Sequence, residues 1–422
     1  MSVIKPLVPE LFHSAFTSLE ASLIKSGTPS DLEMRKQALA AFHEVGIPSS
    51  RLEEWKYTNL SRFSFDSFQL PPKNSTKKVH LELPLELIKA DPAQCWHFYN
   101  GECLQRPTSD SFIIENSGAL LAGYPNKREN VNRFQLLNQA FGHEGAHLVL
   151  PKGCHLEEPI YIVHLSHSTE TPLMVHPKNT IIAKENSRAT LIEIYLTLDG
   201  ALTFSNATTH IQLEKGAHIS HYFLQRSLTE SVQISDITVQ QAASSDYRGI
   251  AMLTGGGANR ATFQVDLNGP EANCHFKTLE LAEKQQKTDI FFTVSHHQPS
   301  TSSNILARSI VKDSARSAFT GKIIVKPGAI ATQASLENKN LLLSPTAEAM
   351  TRPLLEIYAD DIQCRHGATV GFLDEEALFY LKSRGIPDHE ARQLLIESFI
   401  SPCIQDIPGP LLSLVQEVIH GY

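Results

Sequence analysis

Hydrophobic positions recur with a helical period at both ends of the chain and with a strand period between them. Between residues 11 and 24, apolar side chains are spaced three to four positions apart, which is typical of an amphipathic helix. A second helix is predicted to begin at Pro29, with Thr28 as its cap, because proline suits the first helical position. We therefore predict an N-terminal helical region at residues 1–70.

From residue 151 to residue 372 the pattern changes to short apolar or alternating runs. Ile192 and Ile194 belong to a run with period two, which predicts a strand with one buried face. Turn residues such as Gly216 and Gly328 separate the runs at intervals of roughly 20–30 residues, as in a solenoid. Amphipathic helices are nearly absent, so the pattern favours an all-β core. A β-sandwich and a parallel β-helix both fit, and periodicity alone does not separate them.

The last segment, 373–422, returns to helical spacing. Asp374 is the predicted cap of its first helix, and Gly385 with Pro387 marks the end of that helix. Residues 71–150 combine a polar linker with a mixed segment that leads into the core. The sequence thus predicts helices, then strands, then helices.

Composition and charge limit the functions that are possible. With 41% hydrophobic and 19% charged residues, the 422-residue chain is expected to fold. A net charge of −8 argues against nonspecific binding to nucleic acids. There is no basic segment followed by an apolar run at the N-terminus, and the six cysteines are scattered without a C-x-x-C pair. We therefore expect a soluble cytoplasmic protein with free thiols.

Motifs for an energy-coupling or hydrolytic site are missing. The string nearest to a P-loop, residues 316–323, lacks the first glycine and the hydroxyl residue after Lys322. Neither a G-x-S-x-G nor an H-E-x-x-H string occurs. The sequence predicts that the chain is not an ATPase and has no complete catalytic site.

Adjacent pairs of chemically active residues are weak candidates for a site, because neighbours on a strand point to opposite faces. Trp55 and Tyr57 are likewise predicted to pack and not to form a ligand site. The adjacent pairs are Glu157-Glu158, Cys274-His275, His296-His297 and Asp360-Asp361.

Cys364 and His366 form the best local candidate. At positions i and i+2 of a strand they share a face, and thiolate with imidazole suits iron or zinc. Two ligands do not complete a four-coordinate site, so the others would come from elsewhere or from a partner chain. A buried structural cysteine beside a hydrogen-bonded histidine is the alternative.

Several longer strings resemble one known family. They are RLEEWKYTNL at 51–60, SHHQPSTSSN at 295–304, FTGKIIV at 319–325 and the long run at 337–386 that contains Cys364 and His366. These strings are similar to the SufB/SufD family of iron–sulfur cluster assembly scaffold proteins. The E-x-W-K-Y-T string and the modest length resemble the SufD branch of that family.

The resemblance implies a fold and a set of partners. The implied fold is a right-handed parallel β-helix core, 151–372, flanked by N-terminal and C-terminal helical domains. The implied function is a non-ATPase scaffold that pairs with SufB through the β-helix. The ATPase SufC is expected to dock on the C-terminal helices, at about 374–400, and the isolated chain is a possible homodimer.

The resemblance also implies roles for the two candidate ligands. His366 is expected to bind metal at the nascent cluster site on the SufB interface, and Cys364 is a weaker candidate ligand there. The iron or iron–sulfur cluster would be transient, and no cofactor is expected to stay firmly bound to the isolated chain. The alternatives are a SufB-type paralogue that builds the cluster itself and a metal-free homodimeric scaffold.

Overall fold

The computed structural model describes residues 8–26, 29–60, 63–72, 92–108, 112–114, 132–142, 145–168, 170–198, 200, 202–228 and 230–419. Thr28 and much of the predicted mixed segment, 71–150, lie outside these residues. The helices are α1 Glu10–Ser26, α2 Pro29–Val45, α3 Arg133–Phe141, α4 Glu375–Ser383, α5 Asp388–Ile404 and α6 Gly409–Ile419. The strands are β1 Cys95–Tyr99, β2 Glu102–Gln105, β3 Ile113–Ile114, β4 His147–Leu150, β5 Ile160–Ser166, β6 Leu173–Val175, β7 Lys178–Ala183, β8 Arg188–Thr197, β9 Thr203–Leu213, β10 His218–Ser227, β11 Val232–Gln241, β12 Asp246–Gly255, β13 Ala258–Leu267, β14 Asn273–Ala282, β15 Lys287–His296, β16 Ser302–Val311, β17 Arg316–Val325, β18 Gln333–Leu342, β19 Glu348–Ile357 and β20 Gln363–Phe372.

From β7 to β20, consecutive strands alternate between two sheets, so that each pair forms one rung of a solenoid. Sheet one has the order β3-β4-β7-β9-β11-β13-β15-β17-β19, and sheet two has the order β2-β1-β5-β8-β10-β12-β14-β16-β18-β20. The pairings along both sheets are parallel apart from β1 with β2 and β3 with β4. The predicted parallel β-helix, between N-terminal and C-terminal helices, is confirmed, and the β-sandwich alternative is wrong.

One corner of the solenoid explains the spacing of the turn residues. A residue with positive φ occupies this corner in successive rungs, 27 to 31 residues apart. Asn and Gly adopt this left-handed conformation readily, and other residues adopt it where the rung demands it. The corner residues are Asn186, Gly216, Ser244, Glu271, Ser300, Ala331 and Asp361.

Both faces of the central strands are buried, as in other parallel sheets. In β8, Leu191 and Tyr195 point into the solenoid, whereas Ile192 and Ile194 pack on its outer side. The prediction of a single buried face for this strand is therefore wrong. The reason is that helices cover the outer side of each sheet as well.

The C-terminal helices cover the outer side of sheet two. Ile396, Ile400 and Val415 pack there in one cluster with Ile192 and Leu279. As predicted, the Asp374 side chain caps α4 by accepting hydrogen bonds from two backbone amides.

The N-terminal helices α1, α2 and α3 cover the outer side of sheet one. Phe12, Phe42 and Phe134 are fully buried against Phe204 and Ile234 of β9 and β11. Trp55 packs in the same cluster, as expected for this residue. Within the described ranges, no helix is both long and apolar enough to cross a membrane.

Candidate functional site

The solenoid ends with an open rung formed by β19 and β20. Among the described strands, β19 pairs only with β17, and β20 pairs only with β18. Along β20 all residues except Cys364 are exposed, whereas the aligned residues of β18 are largely buried. Val370 and Phe372 are 45% and 64% exposed. The hydrophobic interior is therefore uncovered at this end of the described chain.

The register places Cys364 and His366 on the inward side of this last rung. Cys364 aligns with Ala334, and His366 aligns with Leu336, and both residues of β18 belong to the buried core. The two candidate ligands thus continue the column of core side chains, at the point where the next rung is missing. Cys364 is half-buried against the core, and His366 is exposed.

The local environment keeps the Cys364 thiol protonated near neutral pH. Burial raises the pKa of this thiol above its ordinary value. A metal ion would have to displace the proton, because the thiolate is the ligand. Asp361 occupies the corner just before β20, with φ of 53°, so it serves the turn and is exposed.

The two adjacent pairs that contain histidine, which lie on a strand or at its end, separate as their spacing predicts. His296 lies inside and contacts the hydroxyls of Thr301 and Ser303, whereas His297 lies 3.4 Å from the Asp266 carboxylate on the outer side. Cys274 is fully buried and the next residue, His275, is exposed. The Glu157-Glu158 pair is solvated. Neither histidine pair nor carboxylate pair forms a shared site.

The described residues offer small sets of possible metal ligands. Within the part of the chain that the structure describes, no three His, Cys, Asp or Glu side chains are grouped so that they could hold a metal ion. Cys364 and His366 offer two donors on one face, with open space in front of them. Such an arrangement can contribute to a site that a second molecule completes.

Two groups of buried polar residues escaped the sequence reasoning. One surrounds Glu193 inside the solenoid, and the other joins Arg260 to Asp289 under the N-terminal helices. In the sequence of a strand, such residues have the same pattern as polar residues that face the solvent. The rung period was a usable signal, because Arg260 and Asp289 are one rung apart and face each other in the register.

Models of one protein family match two parts of this chain. A family model described as the SufBD core domain of the SUF system for FeS cluster assembly matches residues 164–399. A second model, the SufBD protein N-terminal region, matches residues 10–82. The chain belongs to the SufBD family. Together the two models of this family include α1, α2, most of the solenoid and the terminal rung.

Individual SufBD relatives agree with this assignment over nearly their whole length. An iron–sulfur cluster assembly SufBD family protein of Synechocystis is 28% identical over 93% of this chain and 91% of its own. The iron–sulfur cluster assembly protein SufD of Escherichia coli is 29% identical over 86% of both chains. SufD of Bacillus subtilis is 24% identical over 89% of this chain and 90% of its own.

Proposed function

We propose that this chain is the SufD-type scaffold subunit of an iron–sulfur cluster assembly complex, without a catalytic step of its own. In this proposal its terminal rung pairs with a SufB-type partner, and Cys364 and His366 complete the nascent cluster site between them. The observation that carries the proposal is the open rung, which presents two metal-binding side chains and an uncovered core on one surface.

The open edges favour a partner that is itself a β-solenoid. The edge strands β19 and β20 present unpaired backbone N–H and C=O groups, which a strand of another chain satisfies most directly. A second solenoid would also cover Val370 and Phe372. Iron or the growing cluster is then the cargo held between the two chains, and His366 is its principal ligand from this side.

The C-terminal helices are the proposed docking site of the ATPase SufC. Phe379 and Tyr380 on α4 are 74% and 56% exposed, which is unusual for neighbouring aromatic side chains. Burial of such anchors by a partner would supply much of the binding energy. We further propose a reducing, cytoplasmic location, which the buried thiols of Cys95, Cys274 and Cys403 support, since none of the three forms a disulfide.

The first test is co-purification under anaerobic conditions, followed by native mass spectrometry. The tagged chain is expressed with the SufB-type and SufC-type proteins of the same organism. One copy of this chain with one SufB and two SufC supports the proposal. A homodimer that excludes SufB supports the metal-free scaffold instead. Phe379→Ser should release SufC and retain SufB, and loss of both would contradict separate docking sites.

The second test addresses the ligand role of His366. The assembled complex carrying His366→Ala is reconstituted with iron and sulfide, and the bound iron and the visible absorption are measured. The matched control is His275→Ala, because His275 is an exposed histidine of sheet two that lies away from the open rung. Iron loading should fall in His366→Ala alone. Equal loading in both variants would rule out His366 as a principal ligand.

A further inference from the structure

A buried ion pair lies in the apolar layer between the N-terminal helices and sheet one. The Arg260 Nη1 atom donates to Asp289 Oδ2 over 2.5 Å, and both side chains are at most 5% exposed. The Arg260 guanidinium carbon lies 4.7 Å from the ring centre of Trp55 and 5.1 Å from that of Phe291. The cation is thus held between two aromatic faces, an arrangement that stabilises it away from water.

Residues 53–58, which we call the latch segment, supply half of this arrangement. Trp55 covers one side of Arg260, and Thr58 Oγ1 donates a second hydrogen bond to Asp289 Oδ2 over 2.5 Å. At the other end of the latch segment, Glu53 Oε1 accepts from Arg352 Nη1 on β19. The latch segment therefore contacts sheet one from the middle of the solenoid to its last strand.

The interface is incompletely satisfied. Asp289 Oδ1 and Arg260 Nε are buried and have no hydrogen-bond partner among the described residues. A buried polar atom without a partner costs free energy that contact with water restores. Lifting the latch segment would expose both atoms to water, and this gain opposes the loss of aromatic packing. The attachment of the N-terminal helices therefore depends on two opposing contributions, the aromatic packing around Arg260 and the cost of these unsatisfied polar atoms.

A third acidic group, Asp236, lies at the same interface, and its protonation makes the interface depend on pH. Asp236 on β11 is 5% exposed and accepts a hydrogen bond from Asn132 Nδ2, the residue that caps α3. Burial raises the pKa of the Asp236 carboxyl to about 7, against the hydrogen bond from Asn132 and the charge of Arg260, which lower it, while Glu54 of the latch segment raises it further.

We propose that the latch segment attaches the N-terminal module to sheet one, and that this attachment weakens as the pH rises. The N-terminal module comprises α1, α2, residues 53–58 and α3. In the latched state Asp236 is mostly protonated and neutral below about pH 7. When the module lifts, the Asp236 carboxyl meets water and returns to its ordinary pKa of 3.8. The latched state therefore binds one more proton than the open state between about pH 4 and pH 7, and rising pH favours opening. This inference does not depend on the proposed cluster site.

The size of the effect follows from these two pKa values. The stabilisation that Asp236 gives the latched state is fully present below pH 3.8 and is lost as the pH rises through about 7. Between pH 6 and pH 8 the equilibrium constant for opening should rise about tenfold. The C-terminal helices, which pack on sheet two, should show no such change.

The test is hydrogen exchange of the full chain at pH 6 and pH 8, with rates corrected for the intrinsic effect of pH. Protection of α1, α2 and α3 should fall about tenfold, and protection of α5 and α6 should stay constant. Asp236→Asn should abolish the difference. The control Asp266→Asn alters a carboxylate on the same sheet that pairs with His297, and it should retain the difference.

Three outcomes would overturn the proposal. They are a protection that is the same at both pH values, a fall that persists in Asp236→Asn, and an equal fall in α5 and α6, which would indicate global unfolding. If Asp236→Asn does not fold, Trp55→Leu tests the latch instead. That variant should lower the protection of the N-terminal module at both pH values and leave α5 and α6 unchanged, and equal loosening of all helices would refute the latch.

Discussion

A carboxylate inside the solenoid allows a sharp test of how the core is held together. Glu193 is 1% exposed, and its Oε1 atom accepts hydrogen bonds from Tyr195, Thr209 and Asn179. Its Oε2 atom lies 2.9 Å from Nε2 of His221, which is 2% exposed. Burial alone would raise the pKa of Glu193, but the contact with His221 and the two hydroxyl groups lower it to about 2.

The perturbation is His221→Leu. It removes the partner of the Glu193 carboxylate and replaces it with a side chain that the core has room for. A fall of the Glu193 pKa from its ordinary 4.5 to about 2 corresponds to about 3 kcal/mol of stabilisation. Loss of a hydrogen bond to a buried charged group costs about 1.5–3 kcal/mol, which is the same scale. We therefore expect His221→Leu to lower the free energy of unfolding by about 3 kcal/mol at pH 7.

The assay is equilibrium unfolding in urea, with the slope of the transition compared between variants. A second pair of proteins carries Glu193→Gln, in which the charge is absent. In that background His221→Leu should cost about 1 kcal/mol, the scale of one ordinary hydrogen bond. The stabilisation from Glu193 is fully present above pH 4.5 and is lost as the pH falls through about 2, so the cost of His221→Leu should shrink in that range.

The same cost of His221→Leu in both backgrounds would refute the reasoning. It would mean that the histidine fills space, or holds Tyr247 over 2.9 Å, without supporting the charge of Glu193. A cost that stays constant between pH 4.5 and pH 2 would likewise contradict the support of the Glu193 charge by His221.

Two further predictions concern the rungs themselves. Gly255→Ala should destabilise the protein by about 1–3 kcal/mol more than Gly328→Ala, since both positions have positive φ but only at Gly255 would the new Cβ lie 1.9 Å from the Ser227 carbonyl oxygen; equal melting temperatures would contradict this. Burial raises the pKa of Glu280 to about 8, so its contribution is present below pH 4.5 and is lost as the pH rises through 8. The melting temperature should therefore fall less steeply between pH 5 and pH 9 in Glu280→Gln than in the wild-type protein, and parallel curves would contradict the titration of Glu280.

Local signals in the sequence were sufficient for the type and order of the elements. A helix begins at Pro29 and another is capped by Asp374, because these residues satisfy helix ends by their own geometry. Gly216 marks a corner for the same reason, since its left-handed conformation is a property of one residue. The choice between sandwich and solenoid was different. It depends on which strands pair, and period-two alternation is common to both architectures.

The candidate site also has one feature that the sequence predicted and one that only the structure shows. The spacing of Cys364 and His366 predicted a shared face, and the register places both on the inward side of β20. Nothing in the spacing indicates that β20 is the last strand of its sheet. That position leaves the two side chains uncovered, and it is a consequence of the order in which the rungs stack.

The sequence by itself therefore determined the helical ends, the β-rich middle, the family and the pair of candidate ligands. Only the tertiary structure decided which polar residues are buried, as in the contact of Glu193 with His221 and the clamp of Arg260 between Trp55 and Phe291. The physical reason is the distance along the chain. Helix caps and turns satisfy groups within a few residues, whereas a buried charge is stabilised by partners one or more rungs, or a whole domain, away.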